Sequence, residues 1–192
     1  MILQQLLLQL ILILLNAFFA ATEIALLSVN EKKVRSLADE GDKKAKKLIK
    51  IIDDPTKFLS AIQVGITLAG FLGSAFAADN FADKLTGFLV STFNVPEAYI
   101  GTIDTVSVIV ITLILSYFTL VLGELVPKRI AMKHKEKLAN GVCGIISVLT
   151  TVLKPIIWFL TVSTNLVLRL FGIDPHAKDD AVSEEDIVVM LD

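Results

Sequence analysis

The sequence predicts an all-α integral membrane protein: three transmembrane helices plus a cytoplasmic-leaflet juxtamembrane helical hairpin, with the N-terminus outside. Three observations predict it. Of 192 residues, 54% are hydrophobic, and they gather in blocks at residues 2–27, 58–78, 105–123 and 141–171. A run of roughly 18 or more apolar residues matches the hydrocarbon thickness at helical rise. The little polar sequence that remains cannot coat four such helices in water. The fourth block is interrupted by Lys154-Pro155, and the basic residues are strongly segregated.

The first span, at about 2–28, begins at Met1 with no Lys or Arg ahead of it. A secretory signal needs a basic start and a small-residue cleavage site, so this block reads as a retained helix. Residues 30–57 then carry nine of the 18 Lys and Arg. Val34, Leu37 and Ala38 recur at helical spacing, Gly41-Asp42 reads as a stop and a new N-cap, and Ala45, Leu48, Ile49 and Ile52 resume the pattern up to Asp53-Asp54-Pro55. Two short amphipathic helices with lysines towards lipid head groups are expected here. A solvated linker is the alternative.

The second span is expected at about 58–80 and the third at about 104–126. Residues 79–104 between them carry only Lys84 against Asp79, Asp83, Glu97 and Asp104, whereas residues 128–137 add five more basic side chains. Positive loops stay inside, so both basic segments are expected in the cytoplasm. In the fourth block a proline removes a helix hydrogen bond and a mid-bilayer lysine is costly. Each half is too short to cross alone, so a hairpin at 136–172 fits better than a fourth crossing. Residues 1–172 thus form the transmembrane domain. Residues 173–192 start an acidic cytosolic linker helix, with Ser183 capping and Glu184, Glu185 and Asp186 on the positive end of the dipole. Ile187, Val188 and Leu191 begin an apolar face leading towards a further cytosolic domain.

Several chemistries are poorly served. The single cysteine, Cys143, excludes an intrachain disulfide and a cysteine-based metal cluster. His134 and His176 lie outside the apolar blocks. No Ser/His dyad, paired catalytic aspartates or metalloprotease motif lies in the spans, so no enzyme is expected. No nucleic-acid partner is expected either.

Oxygen-bearing and small residues recur on single helical faces: Asn16, Ala20 and Glu23 in the first span, Gln63, Thr67, Gly70 and Ser74 in the second, and Ser116, Leu120 and Glu124 in the third. Three such stripes turned inward make a polar centre suited to a hard cation. Mg²⁺ takes about six oxygens near 2.0–2.1 Å, and no soft thiolate or paired imidazole favours copper or zinc. Glu124 leads, because a carboxylate within a span usually faces a cavity or partner. The setting Gly123-Glu124-Leu125-Val126-Pro127 implies irregular backbone that can release carbonyls. The alternative for Glu124 is an ion pair with Lys128 or Arg129 at the membrane edge. For Asn16 the alternative is interhelical hydrogen bonding, and for Glu23 a structural hydrogen-bonded acid near the cytoplasmic end of the first span.

Three segments carry a resemblance: NAFFAATEIALLSV at 16–29, DPTKFLSAIQVGITLAGFLGSAFA at 54–77 and VLGELVPKRIA at 121–131. Together they resemble the transmembrane domain of the CorC/cyclin-M (CNNM) family of magnesium transporters. The resemblance implies a homodimer in the plasma membrane, with three spans and a juxtamembrane hairpin per protomer. It also implies an acidic linker and a cytosolic CBS-pair domain that binds ATP. Transport is implied by alternating access, exporting Mg²⁺ with Na⁺ as the coupling ion. By the same resemblance the metal residues are Glu124, the segment from Gly70 to Ser74 with Thr67 beside it, and Asn16 or the Ala20 carbonyl from the first span. Ala20 stands where many members have serine. A membrane sensor or scaffold that binds the cation without moving it is the competing reading.

Overall fold

The computed structural model describes residues 2–173, all helices and short connections. The acidic tail, with the expected cap at Ser183, and His176 lie outside the described residues. The chain divides into two units, residues 1–152 and 153–192.

In the first unit, α1 (Ile2–Ser28) is a continuous apolar helix. Asn30 caps α2 (Glu31–Asp39) by accepting from the Lys33 amide. Gly41, at φ 102°, supplies the left-handed turn that an L side chain resists. Asp42 then caps α3 (Lys43–Ile52), accepting from the amides of Lys44 and Ala45. Those amides, Ala45 first, hold the Asp42 carboxyl below its ordinary range. A carboxyl depressed on folding adds stability above its unfolded pKa and loses it as pH falls through the folded value. Acidification below about pH 4 is therefore expected to loosen α3, and Asp42→Asn to remove that sensitivity in hydrogen exchange of the α3 amides.

The solvated-linker alternative is set aside by the packing. Val34 and Ala38 of α2 and Ala45, Leu48 and Ile51 of α3 join one buried cluster with Leu26, Phe58, Ala139, Val142 and Ile146. Leu37, expected on that face, is instead exposed. The apolar side of α3 is thereby committed to protein, leaving its lysines at the surface.

Among the described residues three helices are long and apolar enough to cross a membrane: Leu3–Ser28, Pro55–Phe93 and Glu97–Lys133. The last two are longer than the sequence suggested. α4 (Pro55–Ala77) continues through a π-helical turn (Ala78–Ala82) into α5 (Asp83–Phe93). Asn94, at φ 47°, turns the chain into α6 (Glu97–Leu120). Most of the acidic connection is thus helical, and Thr86 of α5 donates to Asp104 of α6 at 3.1 Å, tying the two helices together. A second π-helical turn (Val121–Leu125) carries α6 into α7 (Val126–Lys133). Leucines and isoleucines cover the outer surface, among them Leu7, Ile11, Leu14, Leu113 and Ile114, all exposed. That is the expected dress of helices solvated by lipid.

α1 is the central post, packed against α4, the second π-turn, α7 and α8 (Lys135–Val152). Its approach to α4 rests on Gly65, where an added methyl would lie 2.6 Å from the Phe19 ring. Gly65→Ala is therefore expected to destabilise the fold by about 1–3 kcal/mol. Gly70→Ala, with nothing within 4 Å of the new atom, is expected to melt within a degree or two of wild type. Thermal unfolding in detergent checks both.

The second unit contains α9 (Lys154–Leu170), which starts beyond Leu153 with its proline in the first turn, where no amide is missed. The fourth apolar block is therefore two helices, broken where Lys154-Pro155 predicted. α9 exposes Trp158, Phe159 and Leu166.

Candidate cation site between α1, α4 and α6

The site begins with Pro127. In an α-helix its amide would bond the carbonyl of Gly123, four residues back, but proline has no amide proton. The backbone widens into the π-turn, where the Val126 amide reaches Val121 instead. The Gly123 carbonyl is taken by Asn16 of α1, whose Nδ2 donates at 3.1 Å. Glycine is needed there: a methyl on residue 123 would lie 3.2 Å from Asn16 Nδ2 and 3.3 Å from the Ile13 carbonyl. Asn16 thus buckles α1 to the irregular turn. Asn16→Ala leaves a buried carbonyl without a donor, an expected loss of about 1–3 kcal/mol, which thermal unfolding beside Asn16→Gln measures.

The π-turn also aims Glu124. In a regular α-helix Glu124 continues the row of Ser116 and Leu120 but lies about 140° round from Thr119; with the wider turn between them, Glu124 and Thr119 line one cleft of about 230 Å³. α6 contributes Thr112, Ser116 and Thr119 with Leu115 and Leu120, α4 contributes Gly70, Gly73 and Ser74, and α1 contributes Gln9. One carboxylate thus stands at the end of a run of neutral oxygens, beside leucines of α6 and the glycines of α4.

Of the residues expected to bind metal, the structure brings Glu124, Ser74 and Gly70 together. Thr67 is exposed and outside the cleft, two helical turns below Ser74 at about 1.5 Å per residue. Ala20 is completely buried and does not line the cleft. Asn16 is also buried, adjoining the site only through the Gly123 carbonyl, and its Oδ1 has no partner. Gln63 is exposed.

Gln9, Thr112 and Thr119 were not anticipated. Their signal was present: Gln5, Gln9 and Asn16 share one face of α1, and Thr112, Ser116 and Thr119 repeat at i, i+4, i+7. Gln9 is buried and its Oε1 accepts no hydrogen bond. An orphaned acceptor of this kind costs free energy unless a ligand or water supplies a partner.

The ion pair weighed for Glu124 is present, and it takes in a second carboxylate. Lys128 Nζ lies 2.9 Å from Glu124 and 3.2 Å from Glu23, each only partly exposed. One ammonium therefore bridges two carboxylates at one end of the cleft and leaves one negative charge in excess. Towards the other end of α1, Gln5 donates to Asn80 at 2.5 Å, Lys84 donates to Gln5, and Asn80 donates to the Phe76 carbonyl at 2.9 Å. No three His, Cys, Asp or Glu side chains converge among the described residues. A cation in the cleft is left with one carboxylate and neutral oxygens.

Residues 7–192 match the family described as the cyclin M transmembrane N-terminal domain. The UPF0053 protein sll0260 of Synechocystis sp. is 38% identical over 182 residues, covering 95% of this chain and 40% of that protein. The UPF0053 protein YrkA of Bacillus subtilis is 33% identical over 183 residues, 94% of this chain and 41% of its own. A polyamine export protein of Haemophilus influenzae is 29% identical over 182 residues, 94% and 40% respectively. The chain therefore spans about 40% of the length of these relatives.

Proposed function

Since this chain belongs to the cyclin M transmembrane domain family, we propose that it is the membrane part of a transporter that carries Mg²⁺ through the cleft ending at Glu124. The observation that carries the reading is the placement of one carboxylate, on a π-turn, facing the glycines and Ser74 of α4 and the hydroxyls of α6. Mg²⁺ gives up its waters reluctantly and keeps several when bound by few carboxylates. At roughly 30 Å³ per water, a cleft of about 230 Å³ has room for the ion with most of its shell. Neutral oxygens then hydrogen-bond the bound waters or replace them.

In this mechanism Lys128 is the resident counter-ion. It neutralises Glu124 while the site is empty and yields that carboxylate when Mg²⁺ arrives, with Glu23 retaining the displaced ammonium. Alternating access follows from opening the cleft to one side and then the other, with Na⁺ as the coupling ion in the export direction. The two basic segments face the cytoplasm of the plasma membrane, two copies associate, and an ATP-binding CBS-pair domain follows the acidic tail.

A specific observation favours a second substrate class. The cleft has one carboxylate and alternates hydroxyls with Leu115 and Leu120, which also suits the ammonium ends and methylene stem of a polyamine. One relative carries the name polyamine export protein. Purified protein in liposomes decides among these readings. Entry of Mg²⁺ reported by a trapped dye supports the first, entry of labelled putrescine without Mg²⁺ supports the second, and movement of neither leaves a sensor or scaffold.

A further inference from the structure

A second concavity, of about 170 Å³, lies apart from the cation cleft, where α3, the start of α4 and α8 meet. Its floor includes the buried side chains of Ile51 and Phe58. Around them stand three lysines, Lys47 and Lys50 of α3 and Lys57 of α4, and two hydroxyls of α8, Ser147 and Thr150. The one acid in the lining, Asp54, is already engaged by the Lys57 ammonium at 2.5 Å and by the Lys57 amide at 3.3 Å. Lys47 and Lys50 pair with no acid among the described residues. Two ammonium groups one helical turn apart repel each other, and here they share a hollow with the Ser147 hydroxyl. The hollow is built for an anion.

Its surroundings say which anion. α4 starts at Pro55 and belongs to the apolar helix Pro55–Phe93, so Asp54 and Lys57 mark the level where that helix leaves the bilayer. Anionic head groups stand at that level and attract clustered lysines. Beside Ser147 and Thr150, the next positions around α8 form an entirely apolar groove of Gly144, Ile145, Val148, Leu149 and Val152. A charged hollow and a greasy groove on one helix match the two halves of a lipid.

We propose that this pocket seats the phosphate of an anionic phospholipid, with an acyl chain along the α8 groove. Lys47 and Lys50 take the phosphate oxygens, the Ser147 hydroxyl donates to them, and Ile51 and Phe58 support the glycerol end; the Thr150 hydroxyl, which donates to the Ile146 carbonyl at 2.9 Å, only lines the rim. A soluble phosphate satisfies the lysines and the Ser147 hydroxyl equally well but leaves the groove unused. This assignment does not depend on which cation the transporter carries.

The test is native mass spectrometry of the full chain released from phosphatidylcholine nanodiscs containing one-fifth phosphatidylglycerol. Wild type is expected to retain phosphatidylglycerol, and K47Q/K50Q to retain about tenfold less or lower still. K43Q/K46Q, which removes the same charge from α3 outside the pocket, is expected to retain it within about twofold of wild type. Equal losses from the two pairs overturn the proposal, because a diffuse basic surface is then enough. Displacement of the lipid by millimolar inorganic phosphate also overturns it and assigns the hollow to a soluble anion.

Discussion

Glu124→Gln liposomes are expected to admit Mg²⁺ at least about a hundredfold more slowly than wild type, the loss of about 2.7 kcal/mol of cation stabilisation. The substitution keeps the size and shape of the side chain and one acceptor oxygen, and it removes the charge. Glu124 is the one carboxylate lining the cleft, so no neighbour can replace it. The fold should survive, because the π-turn is held by Asn16 through the Gly123 carbonyl and Lys128 keeps Glu23 as a partner. Glu23→Gln tests the other half of the Lys128 bridge. That side chain shares Lys128 but does not line the cleft, so its flux should fall by no more than about fivefold. Equal losses in the two variants would mean that the pair acts only through Lys128.

The Lys128→Gln variant is expected to split affinity from turnover. An ammonium that bridges two carboxylates competes with any incoming cation, and charge-assisted hydrogen bonds contribute about 1.5–3 kcal/mol in protected settings. All three side chains are partly exposed, so screening reduces that figure. The half-saturating Mg²⁺ concentration should fall by about tenfold. The maximal rate should fall as well, because the empty carrier must then reorient with two unbalanced carboxylates. Unchanged half-saturation would show that Lys128 is a structural tether and no competitor. Initial rates over a range of Mg²⁺ concentrations separate these outcomes.

Much of the fold is legible in the sequence because its signals are long or local. Twenty-odd apolar residues in a row announce a span, Gly41-Asp42 announces a stop and a cap, and Lys154-Pro155 announces a break. The extents of α5 and α6 were not legible, and the Thr86–Asp104 hydrogen bond that ties them joins residues separated by a turn. The site divides along the same line. Gly70, Ser74 and Glu124 follow from spacing on single helices. Thr67 shares their face, yet the cleft covers only about one turn of α4. Asn16 was read as a ligand or an interhelical tie; its Nδ2 makes the tie to the Gly123 carbonyl, and its Oδ1 has no partner. Pro127 announced irregular backbone, but the form of that irregularity depended on a partner from α1. Gln9 lay hidden in a leucine-rich run, although its register with Gln5 and Asn16 was there to read. The Lys128 bridge needed α1 and α7 side by side, which no pattern within either helix can state.

Crystals grown with Mn²⁺ in place of Mg²⁺ show whether the cleft holds the ion, because Mn²⁺ accepts similar oxygen ligands and is located by its anomalous signal. One peak is expected in the cleft, beside the Glu124 carboxylate and between Gly70–Ser74 of α4 and the hydroxyls of α6, with the Lys128 ammonium withdrawn from Glu124. A bound ion elsewhere in the membrane region, with Lys128 still seated on Glu124 and the cleft holding only water or lipid, would contradict a cation site at Glu124.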